Sequence, residues 1–195
     1  AMVRVLEKLG HTLVYPERQT CCGQPPFNSG FSDEAREVAA HQLTCFEKAE
    51  VVVGPSGSCV AMMKVFYPQL FAGTPQEAAA QALADKTYEF SQFLVDRLGV
   101  TDVGATFQGK VTIHDGCHGL RELRIKRQPR ELLRHVRGLE LVEMGEAETC
   151  CGFGGAFAVK MPQLSTAMVE VKARSILATG AQAVVSCDPS CLMQI

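Results

Sequence analysis

Two runs in this sequence set adjacent thiols directly before a glycine, Thr20-Cys21-Cys22-Gly23 and Thr149-Cys150-Cys151-Gly152. Neighbouring side chains on a strand point to opposite faces, so two thiolates aimed at one centre need a turn. A glycine after the pair supplies that freedom and lets backbone approach a bulky ligand closely. One such run would read as a glycine loop with two buried thiols. Two of them, with further cysteines at matching distances, read as a repeated ligand pattern.

In the second half the order is Cys117, 32 residues, Cys150-Cys151, 35 residues, Cys187, three residues, Cys191. Each falls in a predicted loop at the carboxyl end of a strand, and in a parallel α/β sheet those loops converge on one edge. Thiolates gathered in a reducing cell repel one another unless a cation neutralises them. Cysteine-only ligation points to iron–sulfur or zinc. The close pairs of a zinc ribbon are missing, and long spacings between single ligands favour the larger iron–sulfur body, with zinc as the alternative.

The elements that must position these residues follow from the apolar pattern. Residues 2 to 9 read as a helix closed by Gly10, and His11 to Tyr15 as a short strand ended by Pro16. Ser32 is placed to cap a helix to about Glu50, and Val51 to Val53 suit a buried parallel strand leading to Cys59. From about Pro75 to Leu98 the spacing predicts one long helix stopped by Gly99. The second half reads as a strand over Lys110 to His114, a loop over 115–118, and a helix started by Pro129. A strand from Leu139 to Val142, a helix from Met161 to Thr179 and a strand from Ala183 to Val185 follow. Cys21 and Cys150 are offset by 129 residues, Gly10 and Gly138 by 128, which marks an internal duplication. The repeat places a counterpart of Cys117 about 11 residues before Ala1, so roughly 20 residues of the natural N-terminus are expected ahead of it. The expected fold class is α/β: two tandem, pseudo-symmetric parallel-sheet halves with helices on both faces and the cysteine loops at the strand C-terminal edge. The halves are 1–74 (N-terminally incomplete) and 110–195, joined by a helical connector over 75–109.

Composition narrows the function classes. Hydrophobic residues at 47% supply a core, and charged residues at 21% argue against disorder. A net charge of −2 without a basic block makes nucleic acid a poor partner. No apolar run is long enough to span a bilayer. Nine cysteines, an odd number, in a chain too large to need staples fit reduced cytoplasmic thiols held for a metal better than a secreted disulfide framework.

The motifs carry a resemblance. TCCGQPPFNSG over 20–30, GPSGSC over 54–59, HDGCH over 114–118 and TCCGFGG over 149–155 are similar to the cysteine-rich CCG domain family. That family includes the cysteine-rich component of heterodisulfide reductase and the iron–sulfur subunits of glycolate oxidase and anaerobic glycerol-3-phosphate dehydrogenase; the likeness is greatest to its lactate-utilisation branch. It covers nearly the whole chain. The resemblance implies that Cys117, Cys150, Cys151 and Cys191 ligate a cluster, and that Cys21, Cys22 and Cys59 do so with a further partner. It also implies work alongside iron–sulfur and accessory subunits in oxidising L-lactate, a small 2-hydroxy acid, to pyruvate. The family's fuller motif closes with two residues between its last cysteines, whereas Cys187 and Cys191 have three, and Pro55 stands where the first half would match Cys187. Five ligands including Cys187 would suit a non-cubane 4Fe-4S cluster, and four would suit a cubane.

Other residues have two readings each. His114 and His118 flank Cys117 and are placed to bond cluster sulfur, relay protons or ligate a metal; equally, His114 ends a strand and bonds backbone. Asp115 is placed to orient one of these rings. Cys45, mid-helix beside Phe46, reads as a small core residue. Arg121 and Arg124 could draw a carboxylate or lie on a solvated face. Gly152, Gly154 and Gly155 lack the phosphate-loop spacing. No flavin or nicotinamide fingerprint occurs, so a partner is expected to supply any hydride chemistry. The expected function is an electron-transfer subunit of a cytoplasmic oxidoreductase. The alternatives are a zinc-binding structural or assembly module and a disulfide-reducing activity of the heterodisulfide reductase kind.

Overall fold

A computed structural model describes residues 2–195. The first helices are α1 (Met2–Lys8), α2 (Gln24–Asn28) and α3 (Ser32–Phe46). Strand β1 (Val52–Gly54) leads into α4 (Gly57–Ala61), a π-helical turn (Met62–Phe66) and α5 (Tyr67–Leu70). Next come α6 (Glu77–Asp85), β2 (Thr87–Glu89), α7 (Phe90–Gln92) and a second π-helical turn (Phe93–Arg97). The remaining order is β3 (Thr106–His114), α8 (Cys117–Arg121), α9 (Arg127–Arg134), β4 (Arg137–Leu141), α10 (Ala156–Lys160), α11 (Pro162–Leu177), β5 (Ala183–Ser186) and α12 (Pro189–Gln194). No helix among the described residues is long and apolar enough to cross a membrane.

The architecture is α/β with two parallel sheets. One pairs β1 with β2, Val52 opposite Thr87. The other has the order β4-β3-β5, all parallel, with β3 in the centre. Its last four residues, Val111 to His114, are buried without alternation, as expected for a strand covered on both faces. Contacts divide the chain into two compact units, Ala1–Pro55 with Cys59–Phe90, and Ser56–Ser58 with Ser91–Ile195.

Three expectations are corrected. The stretch from 75 to 98 is not one helix: α6 stops at Asp85, and Thr87-Tyr88-Glu89 turns extended to give β1 its partner. Thr and Tyr favour strands, and the amide of Val52 bonds the Lys86 carbonyl at 2.8 Å, so pairing overrides the helical pattern. His11 to Tyr15 is not a strand either. No strand among the described residues pairs with it, and Val14 is 86% exposed, because a lone apolar segment without a sheet has no face to bury. Ser32 does not cap α3; it is the first helical residue, Phe31 stands at the cap without a side-chain bond, and Asp33 and Glu34 supply negative charge to the first turn.

In the first unit, Leu43 and Phe46 of α3 pack with Met62, Tyr67, Phe71 and Leu83. Tyr67 is fully buried and its hydroxyl donates to the carbonyl of Cys22 at 2.8 Å, tying the helix to the first cysteine pair. In the second unit, Arg130 of α9 grips Asp115, just past β3, with two bonds of 2.8 Å. It holds Glu143, past β4, at 2.7 and 2.9 Å. One guanidinium therefore clamps the ends of two neighbouring strands, and its fork matches each carboxylate bidentately.

Tyr67→Phe should leave the Cys22 carbonyl buried without a donor and lower the unfolding free energy by about 1–3 kcal/mol. The urea midpoint measures it, and an unchanged midpoint would mean that the carbonyl has another donor.

Candidate metal centre

The loops after β3, β4 and β5 lie at the carboxyl edge of one sheet, and each delivers sulfur. Cys117 opens α8 two residues after Asp115, rather than sitting in the loop expected there. Cys150 and Cys151 follow β4, and Cys191 lies in the first turn of α12, where Asp188 caps the helix by accepting from the amide and hydroxyl of Ser190. The four thiols make a chain of contacts: Cys117 bonds Cys150, Cys150 bonds Cys151, and Cys151 bonds Cys191. His114, at the end of β3, completes the group. One of its ring nitrogens and the sulfurs of Cys151 and Cys191 all lie within 4.8 Å of one another, and all three residues are buried.

The protonation pattern follows from these bonds. Cys117 and Cys151 are pushed up by the hydrogen bonds between their thiols and the neighbouring sulfurs and by burial, so they keep their protons. Cys150 accepts from Cys117 and shares the single Cys151 S–H with Cys191; it is drawn down to about 2, helped by the Gly152 amide 3.4 Å from its sulfur. Cys191 is lowered to about 6 by the bond from Cys151, against burial and with help from the neighbouring His114 ring. Without a metal the sulfurs thus alternate between thiol and thiolate. A cation that binds all four must displace the protons of Cys117 and Cys151.

Behind the sulfurs, the carbonyl of Ala147 gathers three donors. It accepts the amide of Asp115 at 3.0 Å, Nδ1–H of His114 at 3.2 Å and Nζ of Lys172 at 3.3 Å. Lys172, from α11, is wholly buried and also donates to the carbonyl of Glu146. Desolvation pulls its pKa down, while Cys151, Glu146, Cys150 and Asp115 oppose that pull. A buried ammonium bonded only to carbonyls finds its countercharge in the sulfurs and the Glu146 and Asp115 carboxylates around it.

The glycine after each cysteine pair has a specific task. Gly152 has φ +87°, and a Cβ there would lie 2.7 Å from the Ser165 carbonyl oxygen and 2.9 Å from Cβ of Met168. Gly23 has φ +82°, and its Cβ would meet the Ala35 carbonyl oxygen at 3.1 Å and Val38 at 3.6 Å. Ala35 and Ser165, like Val38 and Met168, stand 130 positions apart. The same helix therefore crosses the same glycine at the same two residues in each unit.

In the first unit Cys22 and Cys59 share a hydrogen bond that, with burial, raises Cys22, and the charge of Cys21 acts in the same sense. Gln42 of α3 is buried and donates to the Thr20 and Cys21 carbonyls, at 2.5 and 3.2 Å. Cys45 lies outside this group, packed against the core with its sulfur 3.5 Å from Nε2 of His41.

The remaining expected residues are placed as follows. Cys187 has its sulfur 3.9 Å from the Ser91 hydroxyl, and its carbonyl accepts the Gly57 amide. His118 stands in the first turn of α8, where its amide points at the Cys117 sulfur. Asp115 does not orient an imidazole; Arg130 takes both its oxygens, because a guanidinium satisfies a buried carboxylate more fully than a ring N–H. Arg121 and Arg124 are exposed. Arg130, Gln42 and Lys172 are not legible in the sequence as site residues, since a polar residue on an amphipathic helix reads as solvated. The one signal for two of them is the duplication, which sets Gln42 and Lys172 130 positions apart.

Four thiols, two of them buried, with a buried imidazole at a sheet edge form a soft donor set suited to a thiophilic metal. Comparison with known proteins agrees with such a role. Residues 1–64 and 111–195 match the family model described as a cysteine-rich domain, CCG. The chain is similar to lactate utilization protein A of Anoxybacillus flavithermus, 50% identical over 196 residues, covering 100% of this chain and 82% of that protein. Lactate utilization protein A of Oceanobacillus iheyensis is 48% identical over 194 residues, with 99% and 79% covered. That of Macrococcus caseolyticus is 50% identical over 196 residues, with 100% and 80% covered.

Gly152→Ala should destabilise the fold by about 2–4 kcal/mol, since it combines a left-handed backbone with overpacking against α11. Gly10→Ala, with φ +87° but nothing within 4 Å of the added Cβ, should cost about 1 kcal/mol. Equal losses in denaturant unfolding would mean that helix contact plays no part.

Proposed function

The chain belongs to the cysteine-rich domain (CCG) family, and from that premise we propose that it is an iron–sulfur electron-transfer subunit of an oxidoreductase that oxidises L-lactate to pyruvate. The observation that carries this reading is the meeting of Cys117, Cys150, Cys151 and Cys191 at one sheet edge with a buried imidazole. The relatives named lactate utilization protein A support the substrate.

In this reading Cys117, Cys150, Cys151 and Cys191 hold a cluster in the second unit, and Cys21, Cys22 and Cys59 contribute to one in the first. A bound cluster accepts and releases single electrons, the chemistry an electron-transfer subunit needs. The chain's own residues fix the conditions for that. Burial of Cys151, Cys191 and His114 excludes water, and the Lys172 ammonium offsets accumulated negative charge. The Arg130 clamp keeps the two loops in register. Iron–sulfur and accessory subunits of the same complex exchange the electrons, and the lactate oxidation belongs to the assembly. A zinc-holding structural or assembly role is the second reading, favoured by the closeness of His114, Cys151 and Cys191, whose nitrogen and sulfur donors are ordinary zinc ligands.

Protein purified without oxygen should be brown, with broad visible absorbance and iron and acid-labile sulfide in matching amounts. A colourless, zinc-loaded protein would overturn the proposal in favour of the second reading. Cys151→Ser should remove the metal of the second unit, while Cys45→Ser should leave metal content unchanged; equal loss would place Cys45 among the ligands. Uptake of cobalt(II) by the apoprotein should release about two protons per ion at the second centre, from Cys117 and Cys151. Because those two thiols are held protonated, apparent affinity should rise with pH and fall as it is lowered. A pH-independent affinity would mean that they are not ligands.

A further inference from the structure

The four ligands proposed for the second centre are all thiols, but a buried imidazole lies within 4.8 Å of two of them, Cys151 and Cys191. We propose that Nε2 of His114 is itself a ligand of the metal centre, an inference that rests on the reading of Cys117, Cys150, Cys151 and Cys191 as its cysteine ligands.

The other ring nitrogen fixes the tautomer. The Ala147 carbonyl 3.2 Å from Nδ1 can only accept, so Nδ1 carries the hydrogen. In the neutral ring Nε2 then presents a bare lone pair. That atom is buried and meets no hydrogen-bond geometry, with the Cys191 sulfur as its neighbour. The residue is 1% exposed, which leaves water no access to it. Its ring shares a 4.8 Å circle with the sulfurs of Cys151 and Cys191.

Once the thiols give up their protons to hold a cation, the sulfurs offer only lone pairs of their own, and an acceptor is left facing acceptors. The ring cannot turn away. His114 is the last residue of the central strand, paired with Ser186 of β5, and the Ala147 carbonyl holds its far side. A cation within reach of Nε2 resolves the conflict directly. An imidazole bound through one nitrogen, with the other N–H on a backbone carbonyl, is also how metal-ligating histidines are normally oriented. A neutral imidazole adds a ligand without adding negative charge. It therefore makes the centre easier to reduce than thiolates alone would, as when histidine replaces cysteine on iron.

Pulsed electron paramagnetic resonance on the reduced, iron-loaded full chain tests this. Wild type should show a strong hyperfine coupling from directly bound nitrogen, which changes on incorporation of ¹⁵N-histidine. His118→Gln should retain it, and His114→Gln should lose it. His114→Cys should keep the metal, lose the coupling and shift the reduction potential downwards. Absence of strong coupling in wild type, or its survival in His114→Gln, would overturn the proposal. A weak coupling alone would overturn it too, making the ring a protonated donor to cluster sulfur. Should His114→Gln fail to fold, a chain with His11, His41, His118 and His135 all replaced by Gln leaves His114 as the sole imidazole, and the same coupling must persist there. If the metal proves to be zinc, the iron–sulfur reading falls while this inference stays testable. Zinc-edge X-ray absorption of that single-histidine chain should then show imidazole scattering, and an all-sulfur shell would overturn it.

Discussion

Four sulfurs in contact cannot all carry charge without a cation among them, and much of the second unit is arranged around that constraint. The protein keeps Cys117 and Cys151 protonated and leaves Cys150 and Cys191 to ionise, which spaces the negative charges along the chain of contacts. Holding such a set together demands a rigid frame, because each buried thiolate would otherwise drift towards water. Arg130 supplies part of it by joining the ends of β3 and β4 through Asp115 and Glu143. Asp188 supplies another by capping α12 under Cys191 and accepting the Ser58 amide at 2.9 Å. The Ala147 carbonyl supplies a third, collecting a backbone amide, an imidazole and an ammonium. None of these groups is sulfur, yet together they set where the sulfurs stand.

The third letter of each cysteine motif is explained by packing as much as by conformation. Left-handed backbone alone would admit asparagine at modest cost. At Gly152 the carbonyl of Ser165 passes so close that no side chain fits, and at Gly23 the carbonyl of Ala35 does the same less tightly. Ser165 adds a bond from its hydroxyl to the Gly152 carbonyl at 2.8 Å, and Gln194 donates to that hydroxyl at 2.9 Å. The cysteine pair is thus pinned by the helix that follows it, so the direction of both thiols depends on a contact more than ten residues downstream. The residues differ between the halves, Ala35 against Ser165 and Val38 against Met168, but the contact is made by a backbone carbonyl and a Cβ, so the geometry survives the change.

How far the sequence reveals this depends on the kind of signal. The α/β class, the parallel strands β1, β3, β4 and β5, and the delivery of cysteines to one sheet edge are all legible, because valine runs, glycine stops and repeat offsets are local or periodic features. The strand Thr87–Glu89 is not, since its existence depends on a partner 35 positions earlier and its own neighbours spell a helix. His11 to Tyr15 fails in the opposite way: a strand pattern without a neighbour remains coil. At the site, the thiols announce themselves by type and spacing, whereas Arg130 and Lys172 look like any surface cation until the fold buries them. Asp115 stands out for its loop but not for its partner, because the guanidinium that claims it lies 15 residues away on a helix.

Gln42 and Lys172 show how a duplicated frame can acquire two different electrical environments. Each projects from the helix after a cysteine pair and donates to two successive carbonyls of the loop before it, Thr20 and Cys21 in one unit, Glu146 and Ala147 in the other. As hydrogen-bond donors the two are nearly interchangeable. As charges they are not. An amide contributes a dipole, whereas a wholly buried ammonium contributes a full charge in a medium that screens it poorly. Burying that charge is costly unless negative charge lies close, and only carbonyls bond it directly, so the cysteine sulfurs and the carboxylates of Glu146 and Asp115 together supply the opposing charge. The dependence runs both ways. Lys172 needs an anionic centre beside it to remain charged, and a centre built from several thiolates needs a cation nearby if it is to take up a further electron. The repeated position therefore tunes the two units apart, through one side chain whose hydrogen bonds go to backbone and whose charge reaches the sulfurs.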